Sequence, residues 1–139
     1  MASIRKHVTR DVVTLDAGAP IRDAARLMAD RKIGSVAVRD GGRVIGLVTE
    51  RDLVMTVLAR SGGSDQPIRE AMRKGVPRVG ADATEADCAA LMRDNATRHL
   101  LVEYRGEVIG VVSMRDIIQL MLDEKQFLID QLHSYIGGR

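Results

Sequence analysis

The chain has 139 residues, enough for one compact domain or two very small ones sharing a core. Hydrophobic residues make up 45% and charged residues 29%, as in ordinary soluble globular proteins, but there is one Phe, two Tyr and no Trp. That scarcity argues against base-stacking recognition of single strands, and a net charge of only +2, with no basic run that could track phosphates, leaves nucleic-acid binding unsupported.

Elements recur along the chain. An extended piece at Val12-Val13-Thr14 precedes an amphipathic helix with Ile21, Ala24, Ala25, Leu27 and Met28 on one side. Two β-rich runs follow, Ser35 to Val38 and Arg43 to Val48. Asp40-Gly41-Gly42 between them predicts a tight hairpin, because consecutive glycines supply positive φ. A second helix is expected to begin at Thr49. After Ser61-Gly62-Gly63-Ser64, which has linker composition, the series starts again. Val76-Pro77-Arg78-Val79 is the extended piece, and Ala86, Ala89, Ala90, Leu91 and Met92 mark the helix. Arg105-Gly106 stands at the hairpin, and a last helix begins at Ser113.

Sliding the chain by 64 residues aligns Ile4 with Ile68 and runs without a gap to Leu58 opposite Leu122. Val44-Ile45-Gly46 meets Val108-Ile109-Gly110, and Arg51-Asp52 meets Arg115-Asp116. Such a match indicates tandem duplication of a β-α-β-β-α unit. The boundaries read as residues 1–60, a linker at 61–67, and residues 68–139 with a C-terminal helical extension. The fold class is α/β in the α+β sense. One unit is too small to bury its apolar faces well, so the two are expected to pack about a pseudo-twofold axis.

The strand-to-helix junction carries the chemistry. Gly46-Leu47-Val48-Thr49-Glu50-Arg51-Asp52 is repeated as Gly110-Val111-Val112-Ser113-Met114-Arg115-Asp116. Thr49-x-x-Asp52 and Ser113-x-x-Asp116 fit a helix capping box. Capping alone leaves unexplained the Arg beside each Asp and the glycine shared by both copies. The same atoms suit a nucleotide: a carboxylate accepts hydrogen bonds from two ribose hydroxyls, a helix N-terminus offers N–H groups to an anion, and Arg clamps phosphate.

The duplicated unit ending in G-h-V-[ST]-x-R-D resembles the CBS domain family, whose tandem pair is called a Bateman module, here of the small stand-alone bacterial type. The resemblance covers nearly the whole chain and implies a regulatory module that binds an adenosyl nucleotide. AMP comes first, with ADP, ATP or NAD(H) as other candidates. In that family the Asp holds ribose and adenine sits in an apolar slot completed by the other repeat. Carried over, one site uses Ser113, Arg115 and Asp116, with Ala19, Ala24, Ile33, Gly34 and Val111 around the adenine. The second uses Leu47, Thr49, Arg51 and Asp52, with Ala83, Cys88, Thr97 and Arg98 opposite. Arg98-His99-Leu100-Leu101 departs from the family's R-H-L-P run at Leu101. Arg98 also stands where the first copy has Gly34, where it either blocks adenine or reaches a phosphate, so the Asp116 site is expected to be the better pocket.

Other features read as structural. His7, His99 and His133 show no metal-ligand spacing, and Cys88 falls where copy one has Ala24. A single cysteine and no signal-peptide pattern fit a cytoplasmic protein. No glycine pattern matches a dinucleotide fingerprint or P-loop, and Asp52 and Asp116 belong to separate sites, so no catalytic residues and no enzyme activity are expected. The final helix carries Ile117, Met121, Leu128, Leu132 and Tyr135 or Ile136 near helical spacing, either packed on its own module or forming a homodimer contact. An effector protein of unknown identity would receive the signal. The alternative function is a structural dimerisation module with vestigial nucleotide clefts.

Overall fold

The computed structural model describes residues 4–8 and 13–137. Two compact units form, one from residues 13–76 and the other from residues 4–8 together with 77–137. Copies and units are thus offset at their leading segments. Ile68, the first residue of copy two, donates its N–H to the Ala19 carbonyl at 2.7 Å and joins the core of the first unit. Ile4 donates likewise to Ala83 at 3.0 Å and joins the core of the other.

In the first unit, β1 (Thr14–Asp16) leads to α1 (Ile21–Arg31), then to β2 (Ser35–Asp40) and β3 (Arg43–Thr49). The three strands form one sheet in the order β1-β2-β3, with β1 parallel to β2 and β2 antiparallel to β3. α2 (Glu50–Leu53) follows directly and runs on as a π-helical stretch over Val54–Ala59. The extended piece is displaced from its expected place, because its parallel pairing aligns Thr14 with Ala37 and Asp16 with Arg39. Val12, part of that expectation, lies outside the described residues.

The β2–β3 loop is the two-residue turn that its glycines predict. Asp40 pairs with Arg43, and Gly41 and Gly42 take φ of 58° and 83°. Both values lie in the left-handed region, as a type I′ turn requires. Val36, Ala37 and Val38 are buried in succession, so β2 is covered on both faces there. On α1, Ile21, Ala24 and Met28 are buried at intervals of three and four residues, whereas Ala25 is exposed.

The second unit repeats this order: β4 (Arg78–Gly80), α3 (Glu85–Asp94), β5 (His99–Tyr104), β6 (Glu107–Ser113) and α4 (Met114–Gly137). Its sheet has the same topology, β4-β5-β6. Cys88 and Met92 are buried on α3 while Ala86 faces outward. The hairpin keeps the same geometry although Arg105 replaces a glycine, at φ 52° followed by Gly106 at 80°. The core gathers Ile4, Val79, Cys88, Met92, Leu100, Val102, Val112, Ile117 and Leu120. No helix among the described residues is long and apolar enough to cross a membrane.

Candidate functional site

At both strand-to-helix junctions the chain leaves the sheet and enters a helix within one residue. Thr49, in the extended region at φ −112° and ψ 167°, caps α2. Its backbone N–H donates to Asp52 Oδ2 at 2.8 Å, and Thr49 Oγ1 accepts from the Asp52 N–H at 3.3 Å, a reciprocal capping box. Ser113 and Asp116 repeat the arrangement, with Ser113 N–H to Asp116 Oδ2 at 2.8 Å and Asp116 N–H to Ser113 Oγ at 3.2 Å. The cap therefore does double duty: it starts the helix and holds the carboxylate at one end of the sheet.

Fewer N–H groups remain for an anion than the sequence suggested. The first amide of each helix already donates to a carbonyl within its own unit, Glu50 N–H to Gly34 at 3.2 Å and Met114 N–H to Arg98 at 2.8 Å. The third donates to the capping hydroxyl. Gly34 and Arg98 thus serve equivalent backbone roles, each in its own unit, and both are exposed.

Among the described residues, the two carboxylates differ in what already occupies them. Asp52 Oδ2 also accepts from Thr49 Oγ1 at 2.9 Å, and Oδ1 accepts from Arg73 Nε at 3.0 Å. A second Arg73 nitrogen lies 3.4 Å from Thr49 Oγ1. Asp116 accepts only from its capping amide among the described residues. Arg73 was not among the candidates drawn from the sequence. It is 21 residues from Asp52, and the 64-residue offset places it opposite Thr9, so the duplication gives no hint of it.

Gly46 explains how Arg73 arrives. The Met72-Arg73 backbone crosses β3, with Arg73 N–H donating to Leu47 O at 2.8 Å and Leu47 N–H to Arg73 O at 3.3 Å. A Cβ on Gly46 would stand 2.6 Å from the Arg73 carbonyl oxygen and 2.9 Å from Met72 Sδ. The glycine makes room for a close approach, and the approaching group is the chain itself.

The other candidates divide by exposure. Leu47, Thr49 and Ala24 are buried, and Ala24 belongs to the core of the first unit. Ala19 and Ile33 in that unit, and Ala83, Thr97 and Val111 in the other, are half-buried. Thr97 Oγ1 closes a local turn by accepting from the His99 N–H at 3.3 Å. Arg51 and Arg115 are exposed, and among the described residues the arginine that reaches a junction carboxylate is Arg73. No group of three or more His, Cys, Asp or Glu among the described residues could hold a metal ion.

The CBS domain model matches the chain twice, over residues 4–59 and 68–123. The chain belongs to the CBS domain family. An uncharacterised 17.7 kDa protein of Acidianus ambivalens is 34% identical over 122 residues, covering 86% of this chain and 73% of that protein. Among solved structures, a CBS-domain containing protein of Agrobacterium tumefaciens superposes with a TM-score of 0.76 at 34% identity, covering 86% and 93% of the two chains. A CBS domain protein of Pyrobaculum aerophilum, complexed with AMP, superposes with a TM-score of 0.72 at 28% identity, covering 82% and 88%. This CBS chain is thus a tandem pair, each repeat carrying one hydroxyl–carboxylate junction.

Proposed function

We propose that this CBS pair is a regulatory module that binds an adenosyl nucleotide, with AMP first among ADP, ATP and NAD(H), and passes the change in its conformation to a partner protein. The observation that carries the reading is the duplicated junction, where a capping hydroxyl holds an aspartate at one end of each sheet. A carboxylate fixed in this way is a preorganised acceptor for the two hydroxyls of a ribose. The AMP complex of the Pyrobaculum relative supports the same ligand class. Regulation requires the ligand to prefer one conformation over another, and its effect is bounded by that preference.

Asp116 is favoured of the two carboxylates for this purpose, because among the described residues Asp52 has Arg73 and the Thr49 hydroxyl on it and Asp116 has only its capping amide. Asp116→Ala should therefore weaken AMP binding more than Asp52→Ala in titration calorimetry. Equal losses would refute the ranking, and no thermal shift with AMP, ADP, ATP or NAD would refute the reading itself. Self-association is the second function favoured by an observation. The outer part of α4 exposes Leu128, Leu132, Tyr135 and Ile136, which suits a homodimer contact.

A further inference from the structure

We propose that Arg73 is a latch on the Asp52 half-site, and that it makes this half selective for phosphorylated over neutral nucleosides. The proposal rests on the nucleotide-binding reading above and adds a discriminating residue to it. Three features place the latch. Backbone bonds to Leu47 anchor the stem of Arg73 beside β3, and Gly46 leaves the space for it. Its Nε donates to Asp52 Oδ1 at 3.0 Å, while a second nitrogen lies 3.4 Å from Thr49 Oγ1. The side chains of Arg73 and Asp52 are 34% and 14% exposed, so the pair is partly accessible to an incoming ligand.

A ribose diol donates hydrogen bonds to the same carboxylate, so it competes with the guanidinium for it. Arg carries no acceptor and stays charged, so once displaced it is left to water unless another anion is offered. A nucleoside phosphate brings that anion and can take the guanidinium bidentately. A neutral nucleoside displaces Arg73 and offers nothing in return. The 64-residue offset sets the uncharged Thr9 opposite Arg73, so the latch is a feature of this half's own sequence.

The test uses the full chain with Asp116→Ala to silence the other half. Calorimetry with AMP and adenosine should show adenosine weaker by at least about tenfold. Arg73→Ala should tighten adenosine and weaken AMP, bringing the two within about threefold of each other. Arg73→Gln, which keeps a long polar side chain without the charge, should do the same. Unchanged adenosine binding in both variants overturns the proposal. A ligand-free measurement stands beside this one: the Arg73 Nε–H resonance should be protected from solvent exchange, and Asp52→Asn should remove that protection. An identical resonance in Asp52→Asn overturns the latch directly. A protected resonance with no binding of AMP or adenosine by any form brings down the nucleotide-binding reading instead, and the selectivity falls with it.

Discussion

Cys88 stands where the other copy has Ala24, and both side chains are fully buried. Burial pushes the thiol up from an ordinary value near 9.0 to about 11, with the Asp87 and Glu85 carboxylates adding to the rise. Thiolate is the reactive form, so native Cys88 should resist iodoacetamide at pH 8 and react only on unfolding. The shift also ties stability to pH. Between about pH 9 and 11 the unfolded chain has lost the thiol proton while the folded chain keeps it, so stability falls as pH rises through that window and is unaffected below it. A displacement of about two pH units corresponds to a loss of at most roughly 2–3 kcal/mol. Urea titrations at pH 8 and pH 10.5 should show a larger alkaline drop for the native chain than for Cys88→Ala. Equal drops would show that the thiol keeps its ordinary acidity in the fold.

The first junction depends on a glycine as well as on its cap. Gly46→Ala would drive a Cβ to 2.6 Å from the Arg73 carbonyl oxygen, and backbone cannot yield as a flexible side chain can. The bridge to Leu47 would have to open, at a cost of about 1–3 kcal/mol by chemical denaturation. Gly80→Ala in β4 meets nothing within 4 Å and should be neutral or stabilising by about 0.4–1 kcal/mol. Comparable losses in the two variants would mean that Gly46 is not a contact glycine. The hydroxyl and the aspartate were legible in the sequence because a cap is a local requirement, met twice at a fixed offset, and the glycine was legible by its repetition although the contact that requires Gly46 is tertiary. The hairpins were legible for the same reason, and the 64-residue offset located the second one, where Arg105 at φ 52° would otherwise have hidden it. Arg73 was not legible: it reaches Asp52 through tertiary pairing with β3 and has no charged counterpart in the other copy. The place of β1 was missed for a similar reason, since a three-residue strand takes its position from its neighbour β2.

The longest uncovered apolar face among the described residues lies on α4. It runs for 24 residues, and of these only Ile117 and Leu120 are buried. Of the two roles open to its apolar stripe, packing on its own module holds only as far as those residues. Met121 is 47% exposed, and Leu128, Leu132, Tyr135 and Ile136 lie between 60% and 76%. Leu128 and Leu132 are four apart, and Tyr135 and Ile136 follow Leu132 by three and four, so they share one helical face. On the self-association reading this apolar face calls for a partner helix, which a second copy of the same stripe would supply through a self-complementary twofold contact. Truncation after Asp123 removes this face without removing any fully buried side chain among the described residues. The full chain should therefore elute as a dimer in sizing chromatography with light scattering, and the truncated chain should dissociate at the same concentration. The melting temperature of the full chain should rise with protein concentration, while that of the truncated chain should not. A dimer that survives truncation would place the interface elsewhere on the two units and leave the stripe without a role in pairing.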